Sequence, residues 1–380
     1  MATRAKAGKG GTRRRVVVKK KIELPPFEPS EQYLTTDSPV ANYYEEKNKS
    51  MTVEWGQRKL ILSAIQFFVN YWDPEKYPEP QCVYIGAAPG ISVNVMYDLF
   101  PGVRFHLYDD QRFNAALPQE ENVNERDQRI FLYPRYFTSD DVEKWKKEKG
   151  VFLISDIRSI EHLSDKKKTT HVAKGNEKIS KYDIEKIVIR DMLTQQEWLL
   201  GINPVQAQLK FRLPYVGGYE KGDQFIRGYY QKGDKAVFPY LQGSVFLQSW
   251  VSAKSTETRL VPTRDEDGEY HLVDWDSKKY EDMLFHHNVK VRENVKYQNP
   301  FTGDDMPVEG LELTNDWNSM CEVQILSDYL RKVGMDVTQE NIVKLSKYIT
   351  FKLNEPHAGA PNYKEVTLGS KRDIVSLANS

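Results

Sequence analysis

Four short apolar runs in this sequence each lead into residues that can do chemistry. Cys82–Ile85 ends in Gly86-Ala87-Ala88-Pro89-Gly90, Val103–Tyr108 in Asp109, and Val151–Ser155 in Asp156, while Val205–Phe211 is followed closely by Tyr215. A glycine turn between a strand and a helix lets the backbone approach a ligand where a side chain would clash. It is not the Gly-x-Gly-x-x-Gly fingerprint of dinucleotide sites. Asp109, about twenty residues on and just past the next apolar run, suits a carboxylate gripping the two hydroxyls of a ligand ribose. Turn and carboxylate together point to a nucleoside ligand. A structural turn beside a surface aspartate is the alternative.

The elements that must position these residues follow from periodicity. Leu60, Ala64, Ile65, Phe68 and Val69 have the spacing of an amphipathic helix, which Gly56-Gln57-Arg58-Lys59 opens. Further helices are expected over 93–100, 140–149 and 184–200, and further strands over 130–133, 244–252 and 259–261. Short apolar strands alternating with helices predict an α/β fold, an open and mostly parallel sheet covered on both faces. Ligands of such sheets sit beyond the carboxyl ends of the strands, where the four sites above fall. The body spans 56–353, preceded by a linker segment over 23–55 and followed by a polar tail over 354–380. Stretches 165–181 (lysine-rich) and 215–243 (glycine- and tyrosine-rich) look inserted, and 316–352 has helical patterns.

Composition excludes several classes. The 380 residues are 39% hydrophobic and 28% charged, enough apolar material for a sizeable core and against a wholly disordered chain. No uncharged apolar run reaches the roughly 18 residues needed to span a bilayer, and no signal-peptide core is present, so no membrane is expected. Cys82 and Cys321 are too few for a disulfide framework or a cysteine-rich zinc site, and the seven histidines lack metal-ligand spacing. A soluble, intracellular protein in a reducing compartment is expected. The zero net charge hides an asymmetry: nine of the 54 Lys and Arg residues lie in 1–22, which holds no acid. The remainder has 45 bases against 54 acids, a net charge near −9. A basic arm of this kind is disordered alone and suits an anionic partner such as RNA, or simply aids solubility or localisation.

Val83-Tyr84-Ile85-Gly86-Ala87-Ala88-Pro89-Gly90 resembles the S-adenosylmethionine loop of RNA ribose methyltransferases. The closer similarity is to the poxvirus family of cap-specific mRNA (nucleoside-2′-O-)methyltransferases, which are also regulatory subunits of the viral poly(A) polymerase. Four further stretches carry it in the family's order: Gly56 to Leu60, Leu153 to Ser159, Ile202 to Val205 with Leu209 to Tyr215, and Ser255 to Leu260. They spread over 40–300 and leave 1–30 and the chain beyond 305 uncovered. The resemblance implies a class I, Rossmann-like methyltransferase that moves methyl from S-adenosylmethionine to the 2′-hydroxyl of the first transcribed nucleotide. It maps a catalytic tetrad onto Lys59, Asp156, Lys210 and Glu257. The chemistry agrees, since the ribose hydroxyl must lie in line with the S–CH₃ bond and lose its proton. A lysine at its ordinary value of about 10.4 is no base at neutral pH. Desolvation and a second cation both disfavour an ammonium, which singles out Lys210 as base beside Lys59. Asp156 and Glu257 are expected to orient the lysines.

For the cofactor the resemblance implies Asp109 on the ribose and backbone contacts from Gly86 and Gly90. It adds Gln57, Tyr84 and Asp156 on the methionine side and Phe137 near the adenine. The family's Asp-Gly-Arg turn is here Asp109-Asp110-Gln111-Arg112, so Gln111 or Arg112 takes the arginine's place. The cap is a cationic 7-methylguanine, which two aromatic faces can hold by stacking and cation–π attraction. Tyr215 matches one face, Tyr43 or Tyr44 the other, and Glu281 an acidic contact; the alternative is loop tyrosines that merely pack. Gly217 stands where the family has a second acid, and Lys254 replaces an aromatic. Lys166, Lys167, Lys168, Lys174, Lys178 and Arg158 are candidate RNA contacts. Expected partners are capped mRNA and a viral poly(A) polymerase catalytic subunit, in the host cytoplasm (viral factory) and the virion. Two alternatives stay open: a purely regulatory or processivity subunit of that polymerase, and a cap-independent RNA ribose 2′-O-methyltransferase.

Overall fold

The computed structural model describes residues 24–42, 55–113, 117, 128–159, 181–215, 231–232, 235–252, 254–292, 294–308 and 315–354. In chain order the elements begin with β1 (Tyr33–Leu34), α1 (Gly56–Tyr71), β2 (Gln81–Ile85), α2 (Ile91–Leu99), β3 (Arg104–Tyr108) and β4 (Ile130–Tyr133). They continue with α3 (Ser139–Trp145), β5 (Val151–Ser155), α4 (Lys181–Ile202), β6 (Gln206–Phe211), β7 (Gln231–Lys232), β8 (Lys235–Leu241) and β9 (Gly243–Phe246). Last come β10 (Thr258–Pro262), β11 (Leu272–Asp276), α5 (Ser277–His286), a π-helical turn (His287–Val291), α6 (Trp317–Lys332) and α7 (Gln339–Asn354).

Eight strands form one sheet in the order β1-β9-β10-β6-β5-β2-β3-β4. The five from β6 to β4 are parallel, and β10, β9 and β1 are joined antiparallel. The central strands β2, β3 and β5 are buried along nearly their whole length, as parallel strands covered on both faces must be. Successive side chains on β3 point to opposite faces. Phe105 meets Phe68 of α1, while His106 and Tyr108 meet Trp145 of α3. Helices α1, α2, α6 and α7 pack with one another, and α3 packs with α4. Helix α1 stops at Trp72, just before Asp73-Pro74, where the backbone is driven to an extended conformation. This is the Rossmann-like α/β arrangement that the resemblance implied. The chain proceeds outward from β2 through β3 to β4, then returns to β5 on the other side of β2, which sets the topological switch point between β2 and β5.

One expectation needs correction. The strand predicted over 244–252 ends at Phe246, because the chain then turns inward. Trp250 adopts a left-handed backbone (φ 60°), and its amide donates to Asn318 Oδ1 of α6 at 2.9 Å. The stretch 215–243 supplies β7 and β8, which with β11 make a second, three-stranded antiparallel sheet. Phe211 packs against Tyr240 and Trp275 where the two sheets meet.

Candidate active site

The carboxyl ends of β5 and β6 and the residue before β10 carry one cluster of opposite charges. Lys210 Nζ lies 3.1 Å from Asp156 Oδ1 and 3.5 Å from Glu257 Oε2. Lys59, on the first turn of α1, donates to Glu257 Oε1 at 2.9 Å. Sheet register explains the meeting: Ser155 pairs with Leu209, so the next residue of each strand, Asp156 and Lys210, emerges side by side. On the far side β10 runs antiparallel to β6 with Arg259 directly opposite Lys210. Arg259 donates to the same Asp156 oxygen at 2.7 Å and lies 3.9 Å from Glu257. The four tetrad side chains are 12–18% exposed, and Arg259 is 3% exposed. Burial works against ionising Asp156, but the charges of Arg259 and Lys210 prevail and hold its carboxyl below the usual range. Burial opposes Glu257 in the same way, and Lys210, Lys59 and Arg259 hold it well below. Both acids are therefore ionised at neutral pH, facing Lys59, Lys210 and Arg259. The backbone of Lys210 is fixed in turn by Gln195 of α4, whose amide donates to its carbonyl at 3.1 Å.

The glycine turn lies beside this cluster. Gly86 has φ 76°, and a Cβ there would stand 2.9 Å from the backbone carbon of Asp156. The Gly86 amide donates to Tyr108 O at 2.9 Å, and the Ala88 amide to Asp109 Oδ2 at 2.9 Å. The other oxygen of Asp109 accepts from the Gln111 amide at 2.8 Å, so the carboxylate is oriented from both sides while remaining partly exposed. Tyr84 is buried under the turn; burial, and next Asp156, push its hydroxyl up, so it stays neutral. Gln57 sits on the first turn of α1 with Lys59, Gly90 caps α2 with φ 86°, and Arg112 and Gln111 are exposed. Phe137 is buried, edge-on to Tyr108 and Trp198; its neighbour Tyr136 is 60% exposed. A turn that tolerates no Cβ, with an anchored carboxylate at the end of the next strand, fits the adenosine half of S-adenosylmethionine.

On the other side of the cluster, Tyr215 is held at three points. Its amide donates to Glu185 Oε2 at 2.9 Å, its hydroxyl pairs with Thr256 Oγ1 at 2.8 Å, and the Arg212 guanidinium lies 4.4 Å from its ring centroid. Burial pushes the carboxyl of Glu281, half-buried on α5, up against the charge of Lys278, with Asp282 and then Glu185 adding to the rise and Arg212 opposing it. Tyr215 and Glu281 thus share one neighbourhood. Tyr43, Tyr44, Gly217 and the lysines over 166–178 lie outside the described residues, and Lys254 is exposed. Arg158 makes a long ion pair with Asp191 at 3.8 Å, and its two Nη atoms have no hydrogen-bond partner among the described residues.

The sequence matches the family described as "Poly A polymerase regulatory subunit" over residues 33–353. The chain belongs to that family. The match runs through α6 and α7, beyond the point where the sequence motifs stop. Among similar proteins is one from Fowlpox virus (strain NVSL) named "Cap-specific mRNA (nucleoside-2'-O-)-methyltransferase", 26% identical over 253 residues. That span covers 63% of this chain and 68% of the fowlpox protein. A protein of the same name from Myxoma virus (strain Lausanne) is 24% identical over 253 residues, 63% of this chain and 62% of its own length. Among the described residues of this family member, no helix is long and apolar enough to cross a membrane.

Sequence reasoning missed Arg259, Arg212, Glu185 and Thr256. A signal was present for the first two. Residues i and i+2 of an extended segment share a face, so the spacing of Glu257 with Arg259, and of Lys210 with Arg212, marks a cation on the same face as a tetrad residue. Glu185 and Thr256 carry no comparable local mark.

Proposed function

We propose that this chain transfers a methyl group from S-adenosylmethionine to the 2′-hydroxyl of the first transcribed nucleotide of capped mRNA. The observation that carries the reading is the meeting of Lys59, Asp156, Lys210 and Glu257 in one ion-paired cluster beside the Gly86 turn. The cofactor supplies an electrophilic methyl on a positively charged sulfur. Asp109 would hold its ribose hydroxyls, and the backbone of 86–90 would close against it. Lys59 and Lys210 would grip the target hydroxyl from two sides, an orientation that Asp156 and Glu257 enforce through ion pairs. The bound cofactor would give up its methyl to the ribose oxygen and keep the electron pair of the S–C bond, while Lys210, reacting as the neutral amine, would take the hydroxyl proton. Tyr215, with Arg212 against one face, would offer the other face to 7-methylguanine, and Glu281 would accept from its ring N–H groups.

A second reading concerns partnership. The family description and the order of these motifs favour a role beside a poly(A) polymerase catalytic subunit, which is compatible with catalysis and is tested by co-purification with that subunit. Both readings imply a large DNA virus and work in the host cytoplasm. The deciding experiment is transfer of labelled methyl to three short RNAs: 7-methylguanosine-capped, unmethylated-guanosine-capped, and capped with the first ribose already 2′-O-methylated. Label on the first but not the third is expected, and Lys210→Ala should abolish it while leaving cofactor affinity within about twofold. Equal label on all three would favour the cap-independent enzyme. No label on any, with cofactor bound, would remove the catalytic reading.

A further inference from the structure

Helix α1 begins without a side-chain cap: its N-cap residue is Trp55, which makes no capping hydrogen bond. Its first turn carries Lys59, so something else must hold that turn in place. Arg58 does so from the buried side. Its Nε donates to Glu322 Oε2 at 2.8 Å, and its Nη2 donates to Glu322 Oε1, the two-pronged geometry that fixes a guanidinium in both distance and angle. Arg58 also donates to Thr350 Oγ1 at 3.0 Å and Ser346 Oγ at 2.7 Å on α7.

The same carboxylate holds a second segment. Trp250 Nε1 donates to Glu322 Oε2 at 2.8 Å, and Ser346 Oγ donates to the other oxygen at 2.7 Å. Trp250 belongs to the connection between β9 and β10, which ends at Glu257. Its left-handed backbone (φ 60°) is a conformation that persists only when its surroundings enforce it. Trp55 closes the arrangement: its amide donates to Trp250 O at 3.0 Å, and the two indole rings lie 4.5 Å apart. Further along, Asn288 of the π-helical turn and Arg292 just after it donate to Ser255 O and Val251 O, each at 2.8 Å.

Glu322 is 0% exposed and Arg58 3% exposed. A surface role is thus closed to this pair, and burying it has a desolvation cost that an apolar pair would avoid. We propose that Glu322 is a positioning residue for the Lys59–Glu257 contact, clamping through Arg58 the helix turn that carries one partner and through Trp250 the connection that carries the other. It touches neither Lys59 nor Glu257, nor any reacting group. The inference rests on the methyltransferase reading for its kinetic consequence, while its geometric consequence stands alone.

The test uses the full chain with the double variant Arg58→Met/Glu322→Leu, since replacing a buried ion pair by apolar side chains of similar volume commonly preserves folding. The expected result is a folded protein with cofactor affinity and RNA KM within about twofold of wild type, and kcat lowered about 10- to 100-fold, the effect of misplacing a reacting group by about 1 Å. Its crystal structure should show Lys59 Nζ moved from its 2.9 Å contact with Glu257 to beyond about 4 Å. Arg58→Lys should not preserve kcat, because an ammonium cannot bridge both oxygens. A folded double variant with kcat within twofold, or one that keeps the 2.9 Å contact, would overturn the proposal. Should the double variant not fold, Trp250→Phe decides instead: it keeps an aromatic ring but loses the Nε1 donor together with the fused ring of the indole, and unchanged kcat there overturns the proposal equally. A wild-type protein inactive on capped RNA would defeat the methyltransferase reading, and the Lys59–Glu257 distance in the variant would still judge the clamp.

Discussion

Glu257→Gln removes a charge while keeping shape, and its cost can be worked from the cluster's geometry. The carboxylate faces Lys59 at 2.9 Å, Lys210 at 3.5 Å and Arg259 at 3.9 Å. At an effective dielectric of about 20, each such pair gains about 4–6 kcal/mol before desolvation. Desolvation and repulsion from Asp156 offset most of this. Removing one partner of a buried pair costs about 3–5 kcal/mol, and the partial exposure of this site argues for the lower end, about 3 kcal/mol. For a chain of this size that lowers the melting temperature by about 4 °C. The double variant Lys59→Met/Glu257→Gln removes one cation with the anion and should recover about 1–3 kcal/mol, while methyl transfer stays lost in both. Thermal and urea unfolding of wild type, both single variants and the double complete the cycle. The pH dependence has a definite sign. Glu257 is held well below its ordinary value of 4.5, so its stabilisation is complete above that pH and is lost only as pH falls through the folded value. The gap between wild type and Glu257→Gln should therefore be constant from pH 8 to 5 and close in stronger acid. Additivity within about 0.5 kcal/mol, or a gap that closes near neutrality, would refute the coupled cluster.

Gly86→Ala should destabilise by at least about 2 kcal/mol and weaken binding of S-adenosylhomocysteine more than about tenfold, since the new Cβ meets Asp156 backbone at 2.9 Å in a left-handed turn. Unchanged affinity by calorimetric titration would remove the turn from the cofactor site. Tyr215→Ala should weaken capped-RNA binding by about 1–3 kcal/mol in fluorescence anisotropy and leave uncapped RNA nearly unaffected; an equal loss on both would dismiss the cap pocket. His106 is held down to about 3 by burial, with Lys144 and Arg104 adding to it, so between that value and about 6.5 the unfolded chain binds a proton that the fold refuses. Stability should fall as pH drops below about 6.5, by up to about 1.4 kcal/mol per unit, and His106→Phe should flatten that slope. Equal slopes in urea unfolding at pH 7, 6 and 5 would contradict this.

The parts of the fold that were legible in the sequence are those in which local pattern and burial agree. β2, β3 and β5 read as apolar runs because parallel central strands are buried on both faces, and the residues ending them, Gly86, Asp109 and Asp156, stand where ligands bind. Lys59, Lys210 and Glu257 were accessible only through family resemblance, because a lone charged residue in a sequence reads as surface. Their meeting depends on sheet order, above all on the antiparallel pairing of β10 with β6, and no local pattern encodes that. The same blindness hid Glu322, an acid in an amphipathic helix whose charge signals solvent although the side chain is fully buried. The expected strand over 244–252 failed for a related reason: its apolar residues are buried, but in a turn held by side chains of α6 and not in a ladder.

Strand direction also explains why the two acids of the cluster are not duplicates. β5 and β6 are parallel, so both bring the residues after the Ser155–Leu209 pair, Asp156 and Lys210, to the same edge of the sheet. β10 runs the other way, so it is the residue before its start, Glu257, that reaches that edge, with Arg259 two residues further in. Arg259 is therefore behind the cluster, nearly sealed from solvent, and its short contact is with Asp156. Asp156 answers a cation that cannot reach water, and it still orients Lys210 with the same oxygen. Glu257 answers Lys59 and Lys210, both of which keep some exposure to solvent. One acid neutralises the buried floor of the site and the other spaces the two amines at its mouth, so the loss of either leaves a different cation uncompensated.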